Sequence, residues 1–207
     1  GAEVALVQRL MLGGQVPRAE WDEALVHTLV VVLLPVASEG KFEAAQEPAL
    51  HALHALVARS PHLCEPLAQV MLGGLLGACR STRRQVAAGA AKVLAALLEA
   101  CNPQRALRLL TAAITTLEPP ALQAAVKLLG ERAAAADAAV LEHEAESIIE
   151  VLQDSLSHAH ADVRKAVVFA IVDMYRVLGA RLTPLLSGLS PSQLKLVTIY
   201  FTREGLK

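Results

Sequence analysis

The sequence predicts an all-α fold, a solenoid of stacked antiparallel helix pairs. Three observations carry that expectation. Apolar residues recur at three- and four-residue steps, most clearly at Val163, Ala166, Val167, Ala170, Ile171, Met174 and Leu178. The 207 residues are 54% hydrophobic but only 3% aromatic, and Ala and Leu dominate. Both are strong helix formers, and small side chains let helices approach closely. Finally, the turns fall into a rhythm. Second helices of pairs begin near Arg83, Ala121 and Asp162, at intervals of 38 and 41 residues.

A repeat of about 40 residues is the HEAT period. Each such helix pair has an apolar face that it cannot bury alone, so several pairs must stack. The elements can be taken in order. Glu3 to Leu12 reads as an unpaired first helix, closed by Gly13-Gly14. Glu20 to about Leu34 is the second, opened by Trp21 and kinked or ended by Pro35. Ser38 to Glu43 is a polar turn, and Glu47 to Ala58 the third helix, with Pro48 at its start. Ser60-Pro61 breaks the chain before a fourth helix over Leu63 to Cys79. Gly73, Gly74 and Gly77 in it predict a close helix crossing.

Arg80 to Arg84 is a basic turn, and Gln85 to Ala100 the fifth helix. Asn102-Pro103 caps a sixth that runs to Thr116. After Glu118-Pro119-Pro120 come helices over Leu122 to Ala135 and Ala138 to Leu156. The last stretch reads helix, short helix, helix. Asp162 caps the first or sits in its first turn, and Gly179 stops it. Thr183-Pro184 opens the short one. Ser190, Pro191 and Gln193 form the start of the last as a capping box. The total is about five helix pairs plus the unpaired N-terminal helix. Residues 1–207 read as a single domain, a fragment of a longer multidomain protein.

Net charge is −1, which gives no general attraction to nucleic acid or anionic membrane. The apolar run from Leu29 to Ala37 is too short to insert in a bilayer, which takes about 20 residues. Cys64, Cys79 and Cys101 lie in apolar helical text and read as reduced packing residues of an intracellular protein.

Enzyme chemistry finds no foothold. His143-Glu144 lacks the second His of a zincin, and His158 with His160 has no companion Cys or carboxylate cluster for metal. The glycines lack the Lys-Ser or Lys-Thr of a phosphate loop. Glu142, Glu144, Glu146 and Glu150 read as a solvated helix face. No cofactor is expected. The feature that stands out is basic. Arg80, Arg83 and Arg84 share one turn, with Lys41 before it and Arg164-Lys165 after it. Turns of successive repeats align along one edge, so these residues would form an intermittent positive ridge. Arg164 has a structural alternative, capping carbonyls of its own turn or pairing with Asp162. Arg80 and Arg83 are expected to be exposed. No aromatics interleave with the cations, which argues against nucleic acid.

The order Val163-Arg164-Lys165, Val168-Phe169, Val172, Gly179, Leu182, Pro184, Leu189, Ser192, Lys195-Leu196, Tyr200 and Arg203 resembles the C-terminal TOG-like HEAT domain of the CLASP family. These are cytoplasmic-linker-associated proteins of microtubule plus ends. Trp21-Asp22-Glu23 and Asn102-Pro103 extend the resemblance upstream. It implies a TOG-like α-α superhelix without catalysis, which docks proteins for a microtubule-stabilising protein. It implies cytoplasmic, cytoskeletal placement at plus ends, spindle, kinetochore and cortex. The implied partners are CLIP-type plus-end linkers, kinetochore motor proteins, and midzone or cortical anchors, with tubulin a weak further partner. Candidate partner-binding residues are the ridge (Lys41, Arg80, Arg83, Arg84, Arg164, Lys165) and the last helix (Lys195, Tyr200, Arg203).

Two alternatives stay open. One is a TOG domain that binds tubulin directly through the ridge, as TOG domains do with an aromatic in the first inside turn and basic residues in later ones. The turn at Glu118-Pro119-Pro120 carries no basic residue, and Trp21 is expected to pack rather than face tubulin. The other is a HEAT scaffold subunit regulating an enzyme.

Overall fold

A computed structural model of the chain describes residues 22–39 and 43–206. Among these the fold is all-α, ten α-helices and two 3₁₀ segments with no strand. The expected first helix, Trp21 and Lys41 lie outside the described residues. The chain divides into two compact units, Gly1–Asn102 and Pro103–Lys207.

In the first unit, α1 (Glu23–Ser38) pairs with α2 (Glu43–Arg59). The short α3 (Pro61–Cys64), a 3₁₀ turn (Glu65–Leu67) and α4 (Ala68–Ala78) together pair with α5 (Arg84–Ala100). α1 stacks on α4 and α2 stacks on α5. First helices thus layer on first helices and second on second, which is how stacked repeats bury faces that no single pair can cover.

The prolines depart from expectation. Pro35 lies inside α1, which continues to Ser38. The carbonyl it leaves without a donor belongs to Val31, four residues back on the exposed side, where water can serve it. α2 starts at Glu43, not Glu47, so Pro48 is interior rather than first. The expected fourth helix is instead split into three pieces, because Pro66 in the 3₁₀ turn cannot donate within a continuous α-helix. The Leu29 to Ala37 run is buried at Leu29, Val30, Leu33, Leu34 and Ala37, while Val31 and Val32 face outward. Of the three glycines in α4, Gly74 makes the close crossing. A Cβ there would lie 2.8 Å from the Leu34 side chain of α1, whereas Gly73 and Gly77 face open space.

In the second unit, α6 (Pro103–Ile114) pairs with α7 (Ala121–Ala135), and α8 (Ala138–Leu156) with α9 (Ala161–Leu178). A 3₁₀ segment (Gly179–Gly188) leads to α10 (Pro191–Arg203). α6 stacks on α8, α7 on α9, and α9 on α10. The α7–α9 packing is the most extensive, and Gly130 permits it: a Cβ there would stand 3.0 Å from the Ala170 backbone. α9 meets α7, α8 and α10, so its apolar stripe is broad. Val163, Val167, Ala170, Ile171, Met174 and Leu178 are buried as expected, and Val168 and Val172 join them.

Gly179 ends α9 with φ +57°, a left-handed conformation that glycine adopts without strain. Asp162 lies in the first turn of α9, and the cap position belongs to His160. At α10 the capping box forms as expected. Ser190 accepts from the Gln193 backbone, and the Gln193 side chain accepts from the Ser190 backbone N–H at 2.9 Å.

Candidate functional site

The basic turn between α4 and α5 holds two different kinds of arginine. The side chains of Arg80 and Arg84 are exposed, with no hydrogen bond or ion pair to a described residue. Arg83 is not free, contrary to expectation. Its guanidinium donates to the Glu43 backbone carbonyl and, at 2.7 Å, to the Glu47 carboxylate. It therefore ties the start of α5 to the start of α2, one repeat earlier. The Ser81 hydroxyl accepts from the Arg83 backbone and shapes the turn.

In the second unit, Arg164 takes the structural role left open for it. Its Nη1 donates to the carbonyls of His158 at 2.7 Å and Ala159 at 2.8 Å. The arginine closes its own turn. Lys165, one residue on, is exposed. It lines a groove between α7 and α9 with Lys127, Glu131, Asp162, Phe169 and Asp173. Both charge signs meet there. Burial raises the Asp173 carboxyl above its ordinary value, against the opposing pull of Arg176.

α10 presents the remaining candidates. Lys195 and Arg203 are exposed, and Tyr200 is half-buried. The Tyr200 ring meets Phe169 of α9 edge-on, with centroids 5.5 Å apart. Val197 is the one residue of α10 that is buried, and Leu194, Leu196 and Ile199 are all exposed. Tyr200 is thus part of what attaches α10 to α9, while Lys195 and Arg203 face solvent.

Glu144 departs from the solvated face expected of it. It is in fact 6% exposed and accepts three hydrogen bonds. Gln104 Nε2 reaches it at 2.7 Å, Arg108 Nε at 2.9 Å and Arg108 Nη2 at 2.8 Å. The hydrogen bonds from Arg108 hold its carboxyl below the usual range, against the opposing effect of burial. The donors are on α6 and the acceptor on α8, so this too is a clamp between repeats. Glu142, Glu146 and Glu150 do face solvent. Burial pushes the Cys64 thiol up to about 12 and the Cys79 thiol up to about 11, which disfavours the reactive thiolate at both. Among the described residues no cluster of metal-ligating groups occurs, and no helix is long and apolar enough to cross a membrane.

Paired helices layered first on first and second on second, with clamps reaching from one repeat to the next, define a HEAT-type helical repeat protein. Its family is more specific. The family model for the XMAP215/Dis1/CLASP TOG domain matches residues 41–201, and the chain belongs to that family. Among curated relatives it is 27% identical to a CLIP-associated protein of Arabidopsis thaliana over 175 residues, 84% of this chain and 12% of the relative. It is 26% identical to CLIP-associating protein 1-A of Xenopus laevis over 199 residues, 96% of this chain and 14% of the relative. The chain therefore spans about an eighth of the length of these relatives. Among solved structures, one TOG domain comes from a crescerin array that regulates microtubules in the primary cilium. It superposes with a TM-score of 0.80 at 16% identity, over 98% of this chain and 83% of that one. A structure from work on tubulin recruitment by microtubule polymerases with TOG arrays gives 0.70 at 20% identity, over 98% of this chain and 43% of that one.

Proposed function

We propose that residues 1–207 act as one non-catalytic protein-docking domain of a microtubule-associated protein. Family membership supports the microtubule setting. The observation that carries docking over direct tubulin binding is the fate of the turn arginines. Arg164 is consumed by its own turn and Arg83 by Glu43 and Glu47. The Glu118-Pro119-Pro120 turn has no cation at all. Among the described residues, Arg80 and Arg84 in the first unit and Lys165 in the second remain exposed for an acidic partner. A domain with so few basic turn residues is poorly equipped for tubulin and better suited to a partner that also uses an apolar surface. The full protein would then stabilise microtubules at plus ends, spindle, kinetochore and cortex, in the cytoplasm. CLIP-type linkers, kinetochore motors and midzone or cortical anchors would be the proteins docked.

A second reading has specific support. The exposed Arg80 and Arg84 occupy a turn position of the kind that tubulin-binding TOG domains use, and one solved neighbour belongs to a tubulin-recruiting array. Co-migration with free tubulin on a sizing column separates the two. Docking predicts separate elution, with partners recovered from mitotic extract, and the second reading predicts a tubulin complex. Enrichment of an enzymatic activity with the domain would instead favour a regulatory scaffold.

A further inference from the structure

The outward side of α10 is built as a helix-binding surface. Pro191, Lys195, Ile199 and Arg203 form one row at four-residue steps, and Leu194, Thr198 and Thr202 form the row beside it. Val197, on the opposite side, is fully buried, so the helix is anchored and its outward face stays open. Ile199 is 53% exposed, Leu194 40% and, at the flank, Leu196 41%. The threonines add to the apolar character. Thr198 Oγ1 donates to the Leu194 carbonyl at 2.8 Å and Thr202 Oγ1 to the Thr198 carbonyl at 3.0 Å. With their donors satisfied inside the helix, both threonines offer methyl groups outward.

The charge on this face is of one sign. α10 contains Lys195 and Arg203 and no Asp or Glu, in a chain whose net charge is −1. Arg203 in the last turn complements the helix dipole, but Lys195 near the other end does not. The two cations are eight residues apart, about 12 Å along a helix at 1.5 Å per residue. They bracket Leu194, Thr198 and Ile199. A second copy of this chain is a poor occupant. Pairing α10 with α10 antiparallel puts Lys195 against Arg203, and pairing it parallel puts Lys195 against Lys195. Both are like-charge contacts that oppose association.

We propose that this face docks an amphipathic α-helix of a partner protein. That helix carries two Asp or Glu residues about two turns apart, flanking an apolar ridge that enters between the two rows of α10. The proposal rests on the docking reading above. The two fail separately, because a tubulin complex would remove the docking reading without bearing on which helix α10 selects.

The test is selection of a displayed library of helical peptides, randomised on one face, against the whole 207-residue chain. The expected winners carry acidic pairs seven or eight residues apart around Leu, Ile or Met. The tightest, synthesised and labelled, should lose at least tenfold in affinity for the Leu194→Ser/Ile199→Ser protein. It should also weaken steeply as salt is raised. Circular dichroism melts of that variant should match the parent, since both residues are exposed. The Lys195→Glu/Arg203→Glu protein should select basic flanks instead. The proposal is overturned if no helix is enriched, if the winners show no acidic bias, or if they bind the Ser variant as tightly. It is also overturned if the chain sediments as a dimer that Ile199→Asp dissolves.

Discussion

Replacing Glu144 by Gln keeps the shape of the clamp and removes its charge. The native carboxylate accepts from Gln104 and twice from Arg108, all within 2.9 Å. Hydrogen bonds to a charged group each contribute about 1.5–3 kcal/mol. The sum overstates the loss, because the Arg108 side chain is 59% exposed and can turn to water. The amide of Gln still offers one acceptor. A net cost of about 1–2 kcal/mol follows. For a chain of this length that is a fall in melting temperature of about 2–8 °C. The pH dependence is more diagnostic than the size. The folded-state carboxyl lies below its ordinary value of 4.5. Its stabilisation is therefore complete above that value and is lost as pH falls through the folded one. Parent and Glu144→Gln should differ fully at pH 7, and the gap should close as the acid limb is entered. Urea unfolding of both proteins across pH 3–7 measures it. A gap that is absent at pH 7, or that is unchanged at acid pH, would refute the reasoning.

Other expectations rest on single contacts. Val167→Asp should prevent folding, since Val167 is fully buried in α9 and an unpaired buried carboxylate costs several kcal/mol, comparable with the whole stability of ~5–15. A soluble variant with an unchanged melt would show that reasoning to be wrong. Gly130→Val should destabilise by about 1–3 kcal/mol by forcing α7 off α9, read from chemical unfolding. Arg83→Ala should cost about 1 kcal/mol through the lost bridge to α2, while Arg80→Ala/Arg84→Ala should leave stability unchanged; equal melts for both variants would contradict this. Cys64 should resist a thiol reagent until denaturant is added, and rapid native labelling of it would contradict its burial. Adding a chelator should not move the melting temperature.

What sequence could reveal here was local. α8 has the bounds that its periodicity predicts, and the capping box of Ser190 and Gln193 is written within four residues of chain. The repeat interval was legible because turns punctuate it. Glu144 and Arg83 were not, because their partners are 36–40 residues away. A Glu beside Glu142 and Glu146 looks solvated until α6 is laid against α8. Pro35 and Pro48 mislead for a related reason. Proline ends an isolated helix, but packing of α1 on α2 holds both helices through it. Gly74 and Gly130 differ from Gly73 and Gly77 in what faces them across a helix crossing, which no local pattern records. Of the candidate cations, Arg164, placed in the ridge with capping as its alternative, takes the capping role, and that alternative was legible because its target, the carbonyls of residues 158 and 159, is adjacent.

The central claim, docking rather than tubulin capture, is tested most directly by sedimentation velocity of the labelled 207-residue chain in a titration with free αβ-tubulin at low salt. The account predicts that the chain sediments at its own rate throughout, because Arg83 and Arg164 are already engaged within the fold. A faster boundary that grows with tubulin and disappears in the Arg80→Ala/Arg84→Ala variant would contradict it and establish the basic turn as a tubulin site.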